Sequence, residues 1–150
     1  MRLLALFLTL TLQSGASAPV KPVNADPSGL ALHGYDAVAY FIDHKAVEGK
    51  ASFTYAWHGA TWRFSTAANR DRFAQAPDAY APQFGGYCSW AVSRNYTADV
   101  DPEAFDVVNG KFYLNYSKMV QLRWKVDRAG NIRNAEQNWP KLVAPARGTK

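Results

Sequence analysis

Phe105-Asp-Val-Val-Asn-Gly-Lys-Phe-Tyr-Leu-Asn-Tyr116 is the stretch whose reading decides the fold. Two apolar runs, Phe105–Val108 and Phe112–Tyr116, flank Asn109-Gly110. Val, Phe and Tyr suit a pleated, half-buried surface. Asn-Gly suits the type I′ turn, whose twist matches that of paired strands. The stretch therefore predicts an antiparallel hairpin.

Downstream, Ser117 can cap a helix holding Met119, Val120, Leu122, Trp124 and Val126. Gly130 is expected to break it, and Ile132, Ala135 and Trp139 continue at helical spacing to Pro140. Upstream, Arg94–Glu103 is polar and Tyr80–Trp90 surrounds Gly85-Gly86; both read as loops. A second hairpin is expected from Phe53–Trp57, where Phe53, Tyr55 and Trp57 share one face, through His58-Gly59-Ala60 to Thr61–Phe64. Ser65 or Thr66 then caps a helix over Ala67–Gln75, which Pro77 ends. Ala37–Ile42 reads as a strand, and Asp43–Lys50 as a loop. The order implies an α+β fold: a small antiparallel sheet built from two hairpins, packed against C-terminal and inter-strand helices.

The 150 residues suit one domain. The aromatic fraction, 14%, is high and supplies much contact area per side chain. The formal net charge of +5 is dispersed along the chain, which indicates a solvated surface and no nucleic-acid partner. Met1-Arg2, the apolar run Leu3–Leu12 and Ala16-Ser-Ala18 have the form of an export signal. The run is too short for a membrane anchor. Residues 1–18 are thus expected to be removed, leaving a periplasmic or secreted protein with an extended lead-in over 19–30, a domain over 31–142 and a flexible tail over 143–150. Export makes the single cysteine, Cys88, informative, because it has no partner for an internal disulfide.

Trp57-His-Gly-Ala-Thr-Trp-Arg-Phe-Ser65, Phe73 and Pro77-Asp-Ala-Tyr80 resemble the YHS domain. Phe84-Gly-Gly-Tyr-Cys-Ser-Trp-Ala91, Asn109–Tyr116 and Asn138-Trp-Pro140 resemble its longer exported branch. The resemblance implies association with heavy metals through cysteines. In the family pattern a Cys-Gly precedes the first strand, a Phe-Cys-Ser follows the hairpin, and a third Cys lies one helical turn on. Here those places hold His33-Gly34, Ser65 and Asn69. Ser and Asn replace soft thiolates poorly, so that site is not carried over intact. The longer branch includes selenoproteins, and the selenium position is taken to match Cys88.

These considerations make Cys88 the first candidate for chemistry and His33 its candidate partner. They would bind a soft or borderline transition metal, Cu or Zn, or a metal-handling or redox protein. His44 and His58 read as surface residues. Asp36 could orient a Cys–His pair, although a non-enzymatic protein is favoured. Tyr35, Asp36, Tyr87 and Trp90, with Gly85 and Gly86, are the pocket candidates. The alternative is a non-catalytic binding or interaction module with an aromatic pocket and an inert buried thiol.

Overall fold

The computed structural model describes residues 18–143, so the export signal, save Ala18, and the tail beyond Val143 lie outside the described residues. The elements run α1 (Ala39–Ile42), β1 (Lys50–Trp57), β2 (Ala60–Phe64), α2 (Ala67–Gln75), α3 (Pro77–Tyr80), α4 (Ser89–Val92), β3 (Asp101–Val108), β4 (Lys111–Asn115), α5 (Lys118–Val126) and α6 (Arg128–Val143). The class is α+β, as expected. Both hairpins are present and antiparallel, β1 with β2 and β3 with β4. They form two separate two-stranded sheets flanked by helices. Each turns on two residues of positive φ, His58-Gly59 (49° and 74°) and Asn109-Gly110 (51° and 74°), as a type I′ turn demands.

Two hydrophobic cores result. One gathers Tyr40, Trp62, Phe64, Phe73, Phe112 and Leu114. The other gathers Phe84, Val92, Tyr113, Trp124 and Ala135. Strand β4 separates them. Alternate side chains of a strand point to opposite faces, so Phe112 and Leu114 enter the first core and Tyr113 the second. The lead-in is tied to this body. Leu30 bridges to Thr61, Asn24 N donates to Gly85 O at 2.8 Å, and Val20 N donates to Leu142 O at 3.2 Å.

Five sequence expectations are corrected. Ala37–Ile42 is not a strand: Ala39–Ile42 forms a helical turn, because Asp36 Oδ1 accepts from the Val38 and Ala39 backbone N–H groups. Such a cap satisfies donors that only a helix start leaves free. Tyr80–Trp90 is not a plain loop but contains a tight turn at Gln83–Gly86 and the start of α4, and β3 begins earlier than expected, at Asp101. Gly130 does not break the helix. The break is at Asp127 (φ −135°, ψ 66°), whose Oδ1 accepts from Gly130 N. A Cβ on Gly130 would collide with that carboxylate. Pro140 does not end α6 either, which runs on to Val143. The expected caps hold: Thr66 Oγ1 accepts from Asn69 N, and Ser117 Oγ from Val120 N. Helix α5 buries Gln121 and Trp124, leaving Met119, Leu122 and Val126 at 61, 60 and 88% exposure.

Candidate functional site

Asp36 is fully buried at the junction of α1, β2 and α2. While Oδ1 caps α1, Oδ2 accepts from Ser65 N (2.8 Å), Ser65 Oγ (2.7 Å) and Asn69 Nδ2 (2.8 Å). Five donors therefore close on one carboxylate. Ser65 and Asn69 are two of the places where the family resemblance implies metal-binding cysteines. Here their hydrogens point at Asp36, and the two carboxylate oxygens have their lone-pair sites occupied. The third place, His33, faces elsewhere: its Nε2 donates to Asp99 Oδ1 at 2.8 Å, on an oxygen that also accepts from Asn24 Nδ2 and Val100 N. These residues do not fit a thiolate-type metal site. Among the described residues no group of three or more His, Cys, Asp or Glu side chains is placed to hold a metal ion.

Cys88 lies at the start of α4 with 1% exposure. Its sulfur accepts from Tyr116 N at 3.2 Å and lies 3.8 Å from Asn115 Oδ1. Asn115 is buried and its Oδ1 also accepts from Trp90 N, so it ties the Cys88 turn to β4. Burial pushes the thiol above its ordinary pKa, and the N–H groups of Ala91, Tyr116 and Trp90 oppose this only in part. A raised pKa leaves less thiolate, the form that binds metals and attacks electrophiles. Cys88 and His33 line different hollows: Cys88 with Trp90, Tyr96, Tyr116 and Arg123, His33 with Asn24, Leu30 and Asp99. No hydrogen bond joins them.

A cleft of about 610 Å³ lies at the seam of the two cores. One wall is Trp57, His58 and Trp62 from the first hairpin, with Asp78 from α3. The other is Phe84, Gly85, Glu136 and Trp139, with Lys111 at the tip of the second hairpin. Local chemistry holds both walls. Trp57 stacks on His58 with ring centres 3.8 Å apart, and Trp62 Nε1 donates to Trp57 O at 3.2 Å. Opposite, Asn138 Nδ2 donates to the carbonyls of Val92 and Ser93, which fixes α6 against α4 and sets the next residue, Trp139, beside Phe84. Gly85 has φ +62°, and a Cβ there would collide with the Pro22 carbonyl and come within 3.3 Å of the Trp139 ring. Only glycine lets the lead-in, this turn and α6 meet at the cleft.

Of the pocket candidates, Gly85 lines this cleft, and Trp90 lines the hollow beside Cys88 with the Arg94 guanidinium 3.2 Å from its ring centre. Tyr87 packs against Trp139, Tyr35 bridges to Glu48, and Gly86 holds φ +81° in the turn. Sequence reasoning missed the cleft. Trp57 and Trp139 were visible as aromatic residues, but they are 82 positions apart and nothing local announces that α6 returns to the first hairpin.

Residues 38–84 match the family model of the YHS domain. No curated protein and no solved structure matches the chain. The matched stretch supplies the Trp57, Trp62 and Asp78 wall, whereas Gly85, Lys111 and α6 lie beyond it.

Proposed function

We propose that this YHS-domain protein is a non-catalytic binding module that uses the cleft between its two cores, and that Cys88 is a structural thiol. The observation that carries the reading is the cleft: its volume is that of a small-molecule site, and its walls combine aromatic faces with a few polar groups. The buried, hydrogen-bonded state of the Cys88 sulfur supports the second half. The competing reading, in which Cys88 and His33 take up Cu, Zn or a redox partner, asks for an accessible thiolate.

Two measurements test the proposal together. In a panel of small aromatic and amine fragments, binding should shift the indole N–H signals of Trp57 and Trp139, and Cys88→Ser should leave those shifts unchanged. Alkylation of Cys88 should be slow in the native state at neutral pH and fast once the chain is unfolded. Rapid native alkylation, or uptake of Cu(I) or Zn(II) that Cys88→Ser abolishes, would overturn the reading in favour of the thiol.

A further inference from the structure

The charges around the cleft narrow what it can hold. The chain carries a formal net charge of +5, yet the cleft is lined by two carboxylates, Asp78 and Glu136, against one ammonium, Lys111. Lys111 Nζ lies 3.9 Å from Glu136 Oε1, so these two charges largely answer each other. Asp78 makes no ion pair among the described residues. Among the described residues lining the cleft, the charge left without an ion pair is therefore negative. The same cleft is lined by the indoles of Trp57, which carries the stacked His58 ring on one face, and Trp139, both partly exposed. Indole has the most negative ring face of the protein side chains, and a cation over it is attracted without needing a counter-charge of its own. Among the described lysines and arginines, an anion would find at the cleft a lysine already paired with Glu136. A neutral apolar ligand would use the rings but leave Asp78 idle.

We infer that the cleft takes a small organic cation, a quaternary or protonated amine, with its apolar body against Trp57 and Trp139 and its charge toward Asp78. This deepens the binding-module reading and rests on it. Surface carboxylates alone bind amines weakly. It is the coupling of an unpaired carboxylate to indole faces at a concave seam that gives the site a chemical class.

The probes that separate the inference from the reading beneath it are choline and 3,3-dimethylbutan-1-ol, its uncharged carbon counterpart of the same shape. Titrations are followed by the indole signals of Trp57 and Trp139. Choline should bind about tenfold tighter than the alcohol, the order expected of a partly desolvated cation over an aromatic face. Asp78→Asn, an exposed and isosteric change, should remove much of that preference while leaving the alcohol's affinity unchanged. Trp139→Ala should weaken both probes, and Trp139→Phe should recover part of the loss. Equal binding of the two probes would overturn the cation assignment and leave a cleft that binds apolar bodies. Absence of any indole shift with either probe would overturn the assignment, and a blank fragment panel besides would remove the binding module with it.

Discussion

Asp36 shows how much one side chain can carry. It caps α1, receives both donors of Ser65 and fixes the amide of Asn69, and so joins three elements at a buried point. Hydrogen bonds to a charged group contribute more than neutral ones, and a buried donor left without a partner costs the full desolvation penalty. Asp36→Asn keeps the shape but turns one acceptor into an N–H₂ group facing other donors. We expect it to destabilise the fold by about 3 kcal/mol in chemical denaturation. Asn69→Ala, which removes one donor and keeps the carboxylate, should cost less. If Asp36→Asn unfolds at the wild-type midpoint, the network does not carry the junction. The sequence displayed Asp36 as a possible partner for a histidine and as a pocket candidate. Its role as a hub depends on Ser65 and Asn69, which are 29 and 33 positions away.

At the scale of elements, what could be read from the chain was what is written locally. Both hairpins announce themselves through a residue before glycine at the turn, and the starts of α2 and α5 through Thr66 and Ser117, because these signals act over two to four residues. The errors arise where a distant or side-chain acceptor overrides propensity. Ala37–Ile42 has strand-like composition, yet the Asp36 carboxylate turns it into a helix start. Gly130 looks like a helix breaker, yet it sits inside α6 because Asp127 needs the space a side chain would fill. That inversion is testable. In an ordinary helix interior Gly→Ala gains roughly 1 kcal/mol. Here Gly130→Ala should instead lower stability by about 1 kcal/mol or more, through overpacking against the cap. Adding Asp127→Ala should make the pair of changes markedly less damaging than their sum, the sign of direct contact between the two. An additive pair, or a stabilised Gly130→Ala, would show that the cap does not govern the α5–α6 junction.

The whole molecule is assembled around surfaces that no single element owns. The cleft takes one wall from each core, and the His33–Asp99 pair links the lead-in side to the stretch before β3. Burial raises the Asp99 carboxyl, but hydrogen bonds from Asn24, Val100 and His33 outweigh it and leave the group below its ordinary pKa. A carboxyl depressed in the folded state contributes stability above the unfolded pKa and loses it as pH falls through the folded one. Asp99→Asn should therefore lower the melting temperature at pH 6 and converge with the parent protein below about pH 4. Because the pair is more than a third exposed, the difference should not exceed roughly 1 kcal/mol. A gap that stayed constant from pH 6 to pH 3 would assign the loss to packing. The hydrogen bond from Val20 N to Leu142 O has a consequence of another kind. It sets residues 20 and 142 side by side, next to Pro22 and Pro140 at the cleft. We expect the described unit to fold as a circular permutant in which a short linker joins residues 20 and 142 and new ends are opened in an exposed turn away from the cleft. It can equally be spliced into a surface loop of another protein, which would present the cleft at the graft point.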